Sequence, residues 1–328
     1  MHLASLNKQL PLPPRSVIPT LSLLSILLFA LGCSLIRVKE TWLKRNIWQA
    51  GLEHKIAELG PDRISYWEGG EGPTLLLLHG FGADATFGWN DQVSVLSKHY
   101  HLIIPDLLWF GQSTSTDPTY SAQHQIQALL KLLEHVGVKH FNVAGISYGG
   151  ILSMMLLAQV PQQIEHAVII SSPGPVYTHE DYQALLKRFQ VHSVNELVLP
   201  RNLAGLDRLL EIAYKKPPYI PSWGKQSVLD FLQDGPDGEK KALLRDLIAN
   251  LDTLRTGLDK HSYKGPLLII WGGEDTLFPI ELGKRLKDYF GDQAELEVIP
   301  KGRHAPNIEF SAKFNKILLQ FLKKPSSS

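Results

Sequence analysis

The stretch Val143–Gly150, VAGISYGG, leaves an apolar, β-favouring segment that opens at Phe141 and enters ILSMMLLAQ, which has the composition of a helix. Ser147 stands at the join, with Gly145 two residues before it and Gly149 two residues after. Glycine at both flanks suits a strand-to-helix turn too sharp to accept a β-carbon. Such a turn holds a serine hydroxyl proud of a sheet, at the positive end of the following helix. The same letters also suit a small residue at an ordinary tight turn. A nucleophile needs a base, an acid to orient that base, and donors for an oxyanion, so the rest of the chain decides.

Outward from this join, buried-strand patterns recur at Thr74–His79 (TLLLLH), from His101 (HLIIPDLL), from His166 (HAVIISS), from Pro266 (PLLIIWGG) and from Ala294 (AELEVIP). Helical patterns such as SAQHQIQALLKLLEHVG and ILSMMLLAQVP lie between several of them. Strands alternating with helices predict an α/β fold, a mostly parallel central sheet with helices on both faces. The segment before Thr74, HKIAELGPDRISYWEGGEG, reads as a hairpin turning at EGGEG. The alternation lapses over about residues 176–264. There HEDYQALLKRF, LAGLDRLLEIAYKK and EKKALLRDLIANLDTL are amphipathic and the joint KKPPYIPSW is rich in proline. That block reads as an inserted helical lid within one domain spanning 51–328, behind an N-terminal signal or membrane-anchor segment and basic linker over residues 1–50.

Three further motifs fall at strand ends. HGFG (His79–Gly82) offers small residues that let a loop fold back and present a backbone N–H, that of Phe81, opposite the N–H of Tyr148. His79 lies on that loop and reads as its support. His304, in VIPKGRHAPNIEF, follows the last strand through a glycine-containing loop and is the candidate base. Asp275, in LLIIWGGEDTLFP, lies just beyond another strand and is the candidate orienting acid; its neighbour Glu274 is the competing choice, less suited to a tight loop. The chain order Ser147, Asp275, His304 is one of the known orders of a serine triad.

At these residues the chain resembles the α/β-hydrolase superfamily, from about Lys55 to Lys323. PDLLWFGQS from Pro105 adds a match to that family's Asp-x-x-x-x-Gly-x-Ser stretch. The resemblance implies the α/β-hydrolase fold, a triad of Ser147, Asp275 and His304, oxyanion donors at Phe81 and Tyr148, and no metal or organic cofactor. Arg303 departs from the pattern, since many members carry glycine directly before the histidine. A serine at the elbow, where epoxide hydrolases and haloalkane dehalogenases have aspartate, implies acyl transfer through an acyl-enzyme. With the N-terminal segment included, the chain resembles membrane-anchored monoacylglycerol lipase-like esterases, which implies a small hydrophobic carboxylic ester as substrate. Trp109 and Phe110 are candidate residues of its acyl pocket. Competing readings on the same fold are carbon–carbon hydrolysis of a vinylogous diketone, perhydrolysis, and a catalytically inactive binding protein.

The N-terminal segment contains SVIPTLSLLSILLFALGCSLI (Ser16–Ile36), an uncharged apolar run long enough to span a bilayer or serve as an export signal. Its tail, FALGC, resembles a bacterial lipobox, with Ala30 and Leu31 departing from the favoured residues. Cleavage there would leave Cys33 as a lipidated first residue, giving a lipoprotein facing the periplasm. The alternative is an uncleaved, single-pass signal anchor. Arg37, Lys39, Lys44 and Arg45 after the run would then favour a cytoplasmic body. Either way membrane association is expected. Cys33 is the single cysteine of 328 residues, so no intrachain disulfide and no cysteine-based metal site can form. A net charge of +1 gives no electrostatic reason for a nucleic-acid partner. Nothing in the sequence fixes an oligomeric state.

Overall fold

A computed structural model of the protein describes residues 38–233, 237–257 and 262–325. Ser16–Ile36 and Cys33, with both readings of the membrane segment, lie outside the described residues. The chain enters through a helix, α1 (38–49). A hairpin of β1 (Leu52–Leu59) and β2 (Asp62–Gly69) follows. Next come β3 (Thr74–Leu78), α2 (Ala85–Leu96), β4 (His101–Pro105), β5 (Thr114–Ser115), α3 (Ala122–Val136), β6 (Phe141–Ile146), α4 (Tyr148–Gln159) and β7 (Ile164–Ile170). Six helices intervene before β8 (Leu267–Gly272): α5 (His179–Phe189), α6 (Asn195–Val198), α7 (Leu203–Ala213), α8 (Ser222–Gln233), α9 (Asp237–Ala249) and α10 (Leu251–Gly257). The chain closes with α11 (Ile280–Phe290), β9 (Ala294–Ile299), α12 (Pro306–Glu309) and α13 (Ser311–Leu322).

The strands form one sheet in the order β1-β2-β4-β3-β6-β7-β8-β9, with β5 on the flank of β2. Pairing is antiparallel where β2 meets β1, β4 and β5, and parallel elsewhere. The parallel strands read as unbroken apolar runs because both of their faces are buried. Leu76, Leu78, Val143, Ile169 and Ile269 pack with α3, α4 and α11 on one face. Their alternate neighbours Leu75, Leu77, Ala144, Ile170 and Ile270 pack with α2 and α13 on the other. This period of two sets the whole core. Two sequence expectations change. The hairpin turns at Gly60–Pro61, where Leu59 pairs with Asp62, and not at EGGEG. EGGEG instead carries the chain from β2 past β4 to β3. Gly70 and Gly72 take φ of +86° and +120°, and a β-carbon on either would lie within 2.5 Å of the carbonyl oxygens of Tyr100 or His99. Glycine is needed there for a close crossing rather than for a hairpin. Residues 38–50 are likewise more than a linker, because Leu43 and Ile47 of α1 are buried against the domain.

The topology selects the location of a site. The chain leaves β3 for β4 on one side and later returns to β6 on the other, so the carboxyl ends of β3 and β6 adjoin at a switch point. Crevices of this kind are where open α/β sheets bind ligands. Helices α5–α7 contribute a small core of their own, Leu185, Val191, Leu197 and Ile212, resting on Leu277 just past β8.

Candidate active site

Ser147 has φ 55° and ψ −116°, outside the ordinary regions for a residue with a side chain. The turn is held because the Ser147 N–H donates to Ile170 C=O at 2.8 Å and Gly150 N–H donates back to Ser147 C=O at 3.0 Å. Both flanking glycines are sterically required. A β-carbon on Gly145 would lie 2.1 Å from the Gly149 carbonyl oxygen, and one on Gly149 would lie 2.3 Å from that of Leu78. The α4 N-terminus is thereby pressed against the end of β3, with Tyr148 as its first residue.

The HGFG loop meets Ser147 from the β3 side. A β-carbon on Gly80 would sit 3.3 Å from that of Ser147, and the Phe81 ring packs edge-on against Tyr148 at 5.5 Å and Phe110 at 4.9 Å. Among the described residues, no backbone acceptor takes up the N–H of Phe81. The Tyr148 N–H, first of its helix, has no intrahelical partner. His79 is buried and fixes the loop's path: its Nε2 accepts the Leu107 N–H at 3.0 Å, so its Nδ1–H donates to Gly80 C=O at 2.8 Å. Burial pushes its pKa down, which keeps this neutral tautomer in place.

Asp275 and His304 arrive on loops after β8 and β9 that touch each other. A β-carbon on Gly272 would lie 2.1 Å from Arg303 C=O, and Glu274 N–H donates to Gly302 C=O at 2.9 Å. The Asp275 carboxylate is buried, and its two oxygens have separate duties. Oδ1 accepts the N–H groups of Leu277 and Phe278 at 2.8 and 2.9 Å, and Oδ2 faces His304 Nδ1 at 2.9 Å. His304 Nδ1 therefore carries the ring proton and donates it to the carboxylate, leaving Nε2 with its lone pair. Glu274, the competing acid, is exposed and paired with Lys215.

Ser147 and His304 line one cavity of about 1640 Å³, walled by Phe81, Phe110 and the lid residues Leu199, Leu206, Leu209 and Leu210. Trp109 is a correction: it does not line the cavity. Its backbone has φ 70°, and its ring turns away to pack against Tyr120 and His124 at 5.1 and 5.5 Å. The reversal comes from the Asp106–Ser113 turn. Asp106 Oδ2 accepts from Ser65 Oγ and Gln112 N–H, both at 3.0 Å, and Ser113 Oγ donates to Asp106 C=O at 2.7 Å. The Asp-x-x-x-x-Gly-x-Ser stretch is thus a structural latch beside the cavity.

The sequence reading missed Asp84, which also lines the cavity. It caps α2 by accepting the Phe87 N–H at 2.8 Å; burial and the neighbouring Asp106 carboxylate push its pKa up to about 7, from 3.8. Its position two residues after HGFG was the available cue. Between those two values the folded chain holds a proton that the unfolded chain has released, so this group makes stability fall as pH rises from about 4 to about 7. Asp84→Asn retains a good cap and removes the titration. The variant should gain on the order of 2–4 kcal/mol over the parent at pH 8 and little at pH 4. Urea unfolding at both pH values checks this; an equal difference at the two would refute the buried proton.

The model of the family described as alpha/beta hydrolase fold matches residues 73–311. The chain is 27% identical over 269 residues to Lipase 1 of Psychrobacter immobilis, covering 80% of this chain and 81% of the relative. Its structure is similar to that of a protein assigned as a lipase, lip1 of Acinetobacter baumannii AYE, with TM-score 0.75 and 26% identity over 86% of this chain and 94% of the other. It also shares the fold of a bacterial membrane phospholipase A, with TM-score 0.73 and 24% identity over 92% and 96% of the two chains.

Proposed function

This chain belongs to the alpha/beta hydrolase fold family, and we propose that within it the protein is a membrane-associated serine hydrolase of carboxylic esters with hydrophobic acyl chains. The observation that carries the reading is the serine at a strained elbow, opening with the His304–Asp275 pair onto an apolar cavity of about 1640 Å³. The lipases similar to this chain support the ester class.

In this reading Ser147 Oγ attacks the acyl carbon while its proton passes to His304 Nε2. The oxyanion of the tetrahedral intermediate faces the N–H groups of Phe81 and Tyr148. Collapse expels the alcohol, which takes the proton from His304, and the acyl group remains on Ser147. Water then attacks, giving its proton to His304, and a second collapse releases the acid and restores Ser147. Phe110, Leu206 and Leu209 would receive the acyl chain. Attachment to a membrane by the N-terminal segment is part of the proposal. Exposed Trp42 and Trp48 on α1, beside Lys39, Lys44 and Arg45, suit a helix lying at a bilayer surface. Among the described residues no helix is long and apolar enough to cross a membrane.

The test is labelling with a fluorophosphonate probe, located by peptide mass spectrometry, together with a panel of p-nitrophenyl esters and monoacylglycerols. Label at Ser147 and a chain-length preference for acyl groups are expected. A folded protein that takes no label and turns over none of the panel would overturn the reading. The intact mass of detergent-extracted protein tests the leader: acylated Cys33 at the N-terminus indicates the lipoprotein, and an intact Met1 indicates the signal anchor.

A further inference from the structure

The last turn of a helix leaves four carbonyls without intrahelical partners. In the lid helix α7 all four are accounted for, and three are satisfied by the loop that carries His304. Leu210 C=O accepts the N–H of Tyr214, at the helix end, at 2.9 Å. Ile212 C=O accepts the His304 N–H at 3.3 Å and Ala213 C=O accepts the Ala305 N–H at 3.1 Å. Glu211 C=O accepts from the Arg303 guanidinium. Two outer contacts flank this seam: Lys216 N–H donates to Glu309 Oε1 at 3.0 Å, and Lys215 pairs with Glu274, next to Asp275. A cation at a helix C-terminus also complements the helix dipole.

We propose that Arg303 is a positioning residue: with the N–H groups of His304 and Ala305 it caps α7, so that the seating of the lid helix and the alignment of the base are one event. This rests on His304 being the base in the proposed reaction. The helix is placed to transmit contact, because Leu206, Leu209 and Leu210 line the cavity, and a β-carbon on Gly82 of the HGFG loop would lie 4.0 Å from Leu209 Cδ1. An acyl chain pressing on α7 therefore bears on the loop that holds His304. A glycine at 303 has no guanidinium for Glu211 C=O, and glycine loosens the loop backbone.

The experiment compares the full-length protein with Arg303→Gly and Arg303→Lys. Hydrogen exchange should quicken together in residues 205–216 and 302–306 of Arg303→Gly, although only one of these segments carries the substitution. On a short soluble ester that does not reach α7, kcat should fall by about 10-fold or more while KM changes by less than about twofold, as expected for a misplaced base rather than lost binding. The acidic limb of the kcat pH profile should also move. Lysine, which can still donate to Glu211 C=O, should restore most of the loss. If Arg303→Gly does not fold, Arg303→Met, which keeps the stem and loses the charge, is read in the same way. Unchanged exchange at 205–216, unchanged kcat on the short ester, or no recovery with lysine each overturns the proposal. The exchange measurement needs no turnover, so a chain without esterase activity would sink the proposed function while the capping seam is still judged.

Discussion

Asp275→Asn is expected to lower kcat on a soluble ester by about 10⁴-fold while leaving the fold in place. The reason lies in the unequal duties of the two carboxylate oxygens. Oδ1 accepts two backbone N–H groups, from Leu277 and Phe278, and only an acceptor can occupy that position. The asparagine carbonyl must therefore take it, which turns the NH2 group towards His304 Nδ1, where Oδ2 stood at 2.9 Å. Nδ1 then has to accept, and the ring proton moves to Nε2. A histidine protonated at Nε2 cannot receive the Ser147 proton. The substitution thus installs the wrong tautomer without disturbing the loop, and it also removes the charge that stabilises the imidazolium. Steady-state kinetics on a p-nitrophenyl ester and a thermal melt together check the prediction. A melt within a few degrees of the parent with kcat down by three or more decades supports it, whereas kcat within tenfold would mean that Asp275 does not orient the base.

How much of this was legible in the sequence depended on how local each cause was. The parallel strands were readable because burial on both faces leaves uninterrupted apolar runs, as in Thr74–Leu78 and Leu267–Gly272. Gly145 is readable because the carbonyl it must clear, that of Gly149, lies within five residues, whereas Gly149 clears Leu78 at the end of β3 and is legible only through the Gly-x-Ser-x-Gly pattern. Trp109 was misplaced because its direction is set by a reversed turn that Asp106 ties to Ser65, on the neighbouring strand β2 but 41 residues away in sequence. EGGEG was mistaken for a hairpin because a glycine needed to pass Tyr100 at close range looks the same, in sequence, as a glycine needed to turn. The capping of α7 was not visible at all. Its partners are separated by more than ninety residues, and backbone carbonyls leave no signature in side-chain identity. In the sequence Arg303 stands out only as a departure from a family pattern, and its partner on α7 gives that departure a physical reason.

Gly149→Ala should be among the most damaging single methyl groups that can be added near the site. Its β-carbon would lie 2.3, 2.6 and 2.7 Å from Leu78 O, Leu78 C and His79 O, all backbone atoms at the end of β3 and the start of the HGFG loop. Relief needs a shift of roughly 1 Å between α4 and β3, judged against ordinary van der Waals contact. Neither can yield cheaply, since β3 is hydrogen-bonded on both sides and α4 is buried along most of its length. A loss of more than about 4 kcal/mol is expected, from overpacking against backbone that cannot repack as a side chain would. Gly137→Ala supplies the contrast. Gly137 has φ +80° but nothing within 4 Å of a β-carbon, so only the conformational cost of about 1–2 kcal/mol applies. Denaturant unfolding of the two variants should therefore separate them by 2 kcal/mol or more in order of magnitude. Any Gly149→Ala protein that folds should also have the Tyr148 N–H displaced from the oxyanion position, with kcat lower by about 10²-fold. Equal stability of the two variants, or a folded Gly149→Ala enzyme with parental kcat, would show that the elbow tolerates a wider approach of α4 to β3 than this packing permits.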